Sequence, residues 1–133
     1  MYYIKDDEEI SSMFLEPFAP FTAPDSFYSR KPGYMCLQAV VPTRLARIHY
    51  QRLQQLYDQH PDLNYVGRVI TERYFVKSEE RLQLLRKQSA EERYQYFAEA
   101  YPELLLKIPL KYIASYLGIT NETLSRIRNR IRK

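Results

Sequence analysis

The chain has 133 residues, of which 45% are hydrophobic and 27% charged, and its formal net charge is +4. This length fits one domain or two small ones, and its single cysteine, Cys36, excludes an internal disulfide framework and a four-thiolate iron–sulfur cluster. No stretch approaches the roughly 20 apolar residues that span a bilayer, and the acidic N-terminus lacks the pattern of a secretory signal. We therefore expect a cytoplasmic protein without a membrane partner.

The first 48 residues are rich in proline and in short runs with strand character. They contain five of the eight prolines and three runs typical of strands, at residues 2–4, 12–14 and 34–41. Residues 34–41 have the strongest strand pattern, and Cys36 within this apolar run is expected to be a buried thiol. Five aromatic residues are expected to form a small core here: Phe14, Phe18, Phe21, Phe27 and Tyr28.

Residues 49–88 change to helical periodicity. A first helix is predicted up to a break at Pro61, and a longer helix over residues 62–86. The apolar face of the longer helix is too wide for one neighbour, which indicates that the helix also contacts a second copy of the chain. The expected dimer interface consists of Leu63, Val66, Ile70 and Tyr74, with Val69 and Phe75 facing the N-terminal part.

From residue 89 onward, the sequence predicts a helical unit that ends in two short, consecutive helices. Ser89 and Glu92 have the spacing of a capping box, which begins the first helix of this unit. Apolar stripes then predict the last two helices, through Leu110, Ile113, Ala114 and Leu117 and through Leu124, Ile127 and Ile131. Between these two helices, Gly118 fits a sharp turn and Thr120 fits the N-cap of the last helix.

Basic residues are concentrated at the C-terminal end of the chain. Residues 107–133 contain seven basic residues and one acidic residue, whereas residues 1–40 contain three basic and six acidic residues. A basic surplus on one terminal module is the electrostatic footprint of a phosphate-binding surface. The alternative interpretation is an ordinary helical hairpin with a solvated basic face.

Residues 113–128, with the sequence IASYLGITNETLSRIR, resemble the DNA-binding domain of the Crp/Fnr family of bacterial transcription regulators, the catabolite-activator-like proteins. The EERY, YPEL and IPL sequences at residues 91–94, 101–104 and 108–110 are similar to the helix that precedes this motif in the family. The part before them resembles, more weakly, the end of the family's sensor domain and the long helix that joins the two domains.

The resemblance implies an α+β fold that is mostly helical. Residues 1–48 would form a partial β-roll like a cyclic-nucleotide-binding domain, and residues 49–88 the connecting and dimerisation helices. Residues 89–133 would form a helix-turn-helix DNA-binding domain without an evident wing. The implied function is sequence-specific transcription regulation by a homodimer that reads the major groove, with duplex DNA and RNA polymerase as partners and no cofactor.

The N-terminal part departs from the family's cyclic-nucleotide site. The family pattern uses a Gly-Glu pair and an arginine that meets the phosphate, but Glu16 is not preceded by glycine and the whole chain has three glycines. Arg30 and Lys31 lie together in a proline-flanked turn, where adjacent basic residues are usually solvated. We therefore expect no cyclic-nucleotide binding.

The resemblance also assigns roles to residues of the last two helices. Asn121, Glu122 and Arg126 fall on the positions that meet base edges, and their side chains suit adenine, the cytosine amino group and guanine. The expected phosphate contacts come from Lys111, Thr120, Thr123, Ser125, Arg128 and Arg130. Arg132 and Lys133 are expected to add unspecific attraction.

Other function classes have weaker support in the sequence. His49 and His60 are eleven residues apart and have no nearby partners for metal or nucleophile chemistry, so we expect neither an enzyme nor a metal site. The 13 tyrosines are scattered rather than aligned on one strand face, which favours packing over RNA stacking. The alternative that stays open is a dimerising interaction module that has lost effector-regulated DNA binding.

Overall fold

The computed structural model of the protein describes residues 1–131. It is mostly helical with one small antiparallel sheet, so the coarse α+β prediction is confirmed. In chain order the elements are β1 (Tyr2–Lys5), β2 (Glu8–Ser11), α1 (Pro24–Phe27), α2 (Tyr50–Gln59), α3 (Pro61–Lys87), α4 (Ala90–Ala100), α5 (Pro102–Lys107), α6 (Leu110–Leu117) and α7 (Asn121–Ile131). No helix within residues 1–131 is both long enough and apolar enough to cross a membrane.

The sheet is a tight hairpin at the N-terminus. Strands β1 and β2 pair with Tyr2 opposite Ser11, and the two turn residues Asp6 and Asp7 have positive φ angles of 50° and 62°. A two-residue turn of this kind matches the right-handed twist of its flanking strands, and aspartate is one of the residues that tolerate positive φ. Because the turn is so short, the second strand begins at Glu8. The strand predicted at residues 12–14 is therefore wrong.

The run at residues 34–41 does not form the predicted strand. Only Cys36 pairs, exchanging backbone hydrogen bonds of 3.0 and 2.7 Å with Tyr2, and Leu37, Val40 and Val41 are exposed. A strand needs a partner along its length, and β1 meets this run at a single residue. Cys36 is half-exposed, so the expectation of a buried thiol is also wrong.

The two helices predicted between residues 49 and 88 are confirmed as α2 and α3. Pro61 begins α3, where its missing N–H is not needed because first-turn donors have no intrahelical partner. The two helices pack closely at Gly67: a Cβ added there would lie 2.5 Å from the hydroxyl oxygen of Tyr57. Glycine at this position lets α2 approach the α3 backbone.

The hydrophobic core lies in the C-terminal unit, α4 to α7. Its largest fully buried side chains are Phe97, Ile113, Leu117 and Leu124, and burying each of them contributes roughly 1.5–3 kcal/mol. Phe14 packs its ring 5.8 Å from that of Phe97, and Phe18 is fully exposed. The prediction of a separate N-terminal aromatic core is therefore wrong, because Phe14 joins the helical core instead.

Two hydrogen-bonded devices fix the ends of the helices in this unit. The predicted capping box at the start of α4 is confirmed, with Glu92 and Ser89 each accepting a backbone hydrogen bond from the other. At the end of α6, Gly118 adopts φ 64° and ψ 41°, the Gly118 N–H donates to Ser115 and the Ile119 N–H donates to Ala114. This Schellman arrangement satisfies the carbonyls of Ala114 and Ser115 near the end of α6 and turns the chain into α7.

We predict that Gly118→Ala destabilises the protein by about 1–2 kcal/mol, because a residue with a Cβ is strained at positive φ. Space is not limiting, since the added Cβ would lie 3.6 Å from the nearest Leu85 carbon. Gly118→Asn is the matched control and should cost less, because asparagine tolerates this region. Urea denaturation measures both, and equal midpoints for the wild type and the alanine variant would contradict the argument.

Candidate nucleic-acid interface

The last two helices, α6 and α7, contact each other through their apolar stripes. Leu124 of α7 lies in the same buried cluster as Ile113 and Leu117 of α6, and Ile127 is also buried. Ala114 is buried, at 2% exposure, and its side chain is only a methyl group, which allows neighbouring helices to approach α6 closely. Burial of this stripe leaves the opposite face of α7 on the surface.

The surface of α7 carries polar side chains along its whole length. An α-helix turns about 100° per residue, so Glu122, Ser125, Arg126 and Asn129 share the face opposite the buried stripe, and all four are exposed. The predicted base-reading residues Glu122 and Arg126 lie on this face, and Asn121 is exposed at its flank. Asn129 is absent from the sequence-based assignment, although its seven-residue spacing from Glu122 could have identified it.

Threonine hydroxyls organise the first turn of α7. The Thr123 N–H donates to the Thr120 hydroxyl oxygen at 3.2 Å, which confirms the predicted N-cap. The two hydroxyl oxygens lie 3.1 Å apart, and Arg126 Nη2 donates to the Thr123 hydroxyl oxygen at 3.5 Å. Both threonines were predicted as phosphate contacts, and the structure gives their hydroxyls partners inside the protein.

The Glu122 carboxylate belongs to the same first turn. Hydrogen bonds from its own backbone N–H and from the Thr120 hydroxyl lower the pKa of Glu122, and the neighbouring Arg126 guanidinium lowers it further. A carboxylate with a lowered pKa stays ionised at neutral pH and can only accept hydrogen bonds. Glu122 therefore presents an acceptor beside the donors of Arg126.

The remaining predicted phosphate contacts lie on both helices, and one of them, Ser125, is on the exposed face of α7 itself. Lys111 is exposed near the start of α6, with its ammonium nitrogen 4.8 Å from the centre of the Tyr112 ring. Arg128 is half-buried, and Arg130 pairs with Glu91 of α4 at 2.9 Å. An exposed ion pair of this kind contributes little to stability and can exchange partners. The predicted contribution of Arg132 and Lys133 concerns residues that lie outside the described part of the chain.

The N-terminal hairpin lies against α6, a contact that the sequence gave no signal for. The Ser11 N–H donates to the Ser115 hydroxyl oxygen at 2.9 Å, and that hydroxyl donates to the Glu9 carbonyl oxygen at 3.0 Å. The acidic turn of the hairpin, with Asp6 and Asp7, is thereby attached to the C-terminal unit.

The residues predicted for a dimer interface differ in exposure on α3. Val66 and Ile70 are exposed, at 48% and 38%. Leu63 is half-buried, and so is Tyr74, whose pKa is raised by burial and then by the nearby Tyr28 and Tyr34. Tyr74 thus faces the N-terminal segment. Phe75 and Val69, which were expected to face that segment, are 65% exposed and half-buried respectively.

Comparison with models of known protein families gives no match, and comparison with curated proteins identifies no relative. Within the described residues, no group of three or more histidine, cysteine, aspartate or glutamate side chains could hold a metal ion. The geometry of α6 and α7 is therefore the main basis for proposing a function.

We predict that Thr120→Val lowers the free energy of unfolding by about 1 kcal/mol, because it removes the hydroxyl that accepts from the Thr123 N–H. Thr120→Ser is the matched control, since it keeps the hydroxyl and should stay close to the wild type. Thermal or urea unfolding followed by circular dichroism measures both variants. Equal losses in the two variants would show that the cap does not hold the first turn of α7.

Proposed function

We propose that the protein is a sequence-specific DNA-binding transcription regulator that places α7 in the major groove as a homodimer. The observation that carries the proposal is the exposed polar face of α7. The opposite, apolar side of α7 packs against α6, and a three-residue turn joins the two helices. A helix about 10–12 Å wide fits a major groove about 12 Å wide. In this arrangement α7 is the recognition helix and α6 is the helix that crosses the DNA backbone.

The side chains on α7 have the chemistry that base reading needs. The Arg126 guanidinium can bind the O6 and N7 acceptors of guanine, and the ionised Glu122 can accept from the cytosine amino group. Asn121, at the start of the helix, can pair with adenine.

Phosphate contacts in the proposal come from the two helices and the turn between them. The residues concerned are Lys111, Thr120, Thr123, Ser125, Arg128 and Arg130, of which Ser125 lies on the exposed polar face of α7 itself. Arg130 would exchange Glu91 for a phosphate on binding. The concentration of basic residues after residue 107 supports this role, because phosphate neutralisation supplies much of the affinity for DNA.

The resemblance of residues 113–128 to the Crp/Fnr family supports the same proposal. We extend it to a helix-turn-helix domain at residues 89–133, dimerisation helices at 49–88 and a partial, roll-like remnant at 1–48, with RNA polymerase as a further partner. The proposal includes no cyclic-nucleotide effector, because Glu16 lacks the preceding glycine of the family pattern. Calorimetric titration with cAMP tests this point, and saturable heat would contradict it.

The proposed dimer uses α3, a helix of 27 residues with exposed apolar side chains. Val66 and Ile70 are its central contacts, and Leu63 and Tyr74 lie beside them on the helix. Two copies would present their α7 helices to half-sites about one helical turn, roughly 34 Å, apart. The symmetry of the dimer then predicts a palindromic operator.

The experiment that tests the proposal is a selection of binding sites from random duplex DNA, followed by gel shifts on the selected and scrambled sites. Light scattering on the free protein measures its size in parallel. Enrichment of a palindrome by a dimer supports the proposal. A dimer that enriches no sequence would favour the alternative, an interaction module that does not regulate transcription through DNA.

We predict that Arg126→Ala and Arg130→Ala affect DNA binding differently. Arg126→Ala should cost about 1–3 kcal/mol on the selected site and remove the preference at one base pair. Arg130→Ala should weaken binding to all duplexes alike and reduce the salt slope by about 1. Fluorescence anisotropy on selected and random duplexes, over a range of salt concentrations, separates these effects. Identical behaviour of the two variants would remove the base-reading role from Arg126.

We predict that Ile70→Asp converts the dimer to a monomer at tens of micromolar, because it places a charge in the apolar contact between two α3 helices. Ile70→Leu, which keeps the apolar surface, is the control and should remain dimeric. Sedimentation velocity measures the state of both variants. A wild type that is already monomeric at this concentration would refute the role of α3.

A further inference from the structure

The exposed face of α7 contains a residue to which the proposed function gives no role. Asn129 lies seven residues after Glu122, and two residues seven positions apart on a helix differ by only about 20° around its axis. Buried Leu124 and Ile127 mark the opposite side of α7, so Glu122 and Asn129 lie closest to the centre of the exposed face. In a groove-bound helix, this centre faces the base edges.

We propose that Asn129 is a further specificity-determining residue that reads an adenine next to the base pair contacted by Arg126. This inference rests on the proposed function, which it extends by one base pair in each half-site. The asparagine amide has one donor and one acceptor group, and it matches the N6 and N7 positions of adenine in the major groove. No other amino acid of this size offers that pair.

The spacing along α7 agrees with adjacent base pairs. Arg126 and Asn129 are three residues apart, which is about 4.5 Å along the helix axis. One base step along a strand is about 3.4 Å, so the two side chains reach neighbouring base pairs when α7 follows the groove.

The residues on either side of Asn129 favour a base-reading role for it over a phosphate contact. Arg128 and Arg130 lie to the two sides of Asn129 around the helix, where the walls of the groove carry the phosphates. They are long and charged, and they suit that contact. Asn129, which is short and neutral, lies between them and would face the floor of the groove. At the floor, reading a base needs a paired hydrogen-bond donor and acceptor rather than a charge.

Site selection from random duplex DNA, followed by anisotropy on single-base variants of the selected site, tests the assignment with the full chain. Asn129→Ala is compared with Gln83→Ala, which removes an exposed helical amide from α3 at a position that the proposal assigns neither to DNA nor to the dimer contact. We expect Asn129→Ala to lose about tenfold in affinity for the selected site and its discrimination at one A·T pair. Gln83→Ala should retain the wild-type preference.

The outcomes separate the inference from the function on which it rests. An equal loss of affinity on all duplexes, or an unchanged preference in Asn129→Ala, would overturn the base-reading role while leaving the proposed function intact. Failure of the wild type to enrich any sequence overturns the proposed function and this inference together. Because alanine favours helix at an exposed position, circular dichroism should show both variants folded.

Discussion

The guanidinium of Arg81 joins the three parts of this fold. Arg81 belongs to α3, and its Nη2 donates to the Tyr116 carbonyl oxygen of α6 at 2.8 Å and to the Ser11 carbonyl oxygen of β2 at 3.3 Å. Its guanidinium carbon lies 3.7 Å from the centre of the Tyr116 ring. The last carbonyls of a helix lack intrahelical partners and carry partial negative charge, so a cation there satisfies both needs. One side chain of the long helix α3 thus contacts both the N-terminal hairpin and the C-terminal unit.

The contacts of Arg81 also position the candidate nucleic-acid interface. Helix α6 receives Arg81 at its C-terminal end, and Gly118 then turns the chain into α7, whose buried Leu124 returns to the core. The exposed face of α7 is therefore fixed relative to α3 through a short series of packed contacts. In the proposed dimer the two copies contact each other through α3. This series of contacts would therefore also set the distance between the exposed faces of the two α7 helices.

The N-terminal segment shows where pattern-based prediction reaches its limit. Residues 34–41 have the apolar, β-branched composition of a strand, yet only Cys36 finds a backbone partner. Strand composition predicts a tendency to pair, but pairing depends on another segment arriving in register. The hairpin formed because the two-residue turn at Asp6 and Asp7 brings its own partner strand, and turn chemistry of this kind is local.

The sequence by itself determined helices α2, α3, α6 and α7, the cap of α4 at Ser89, the turn at Gly118 and the exposed position of Glu122 and Arg126. All of these depend on interactions between residues a few positions apart, which a periodic pattern records. The tertiary structure alone decided that Phe14 joins the helical core, that Ser115 holds the hairpin and that Arg130 pairs with Glu91. These contacts join residues far apart in the chain, and no local pattern encodes which distant groups the folded backbone will bring together.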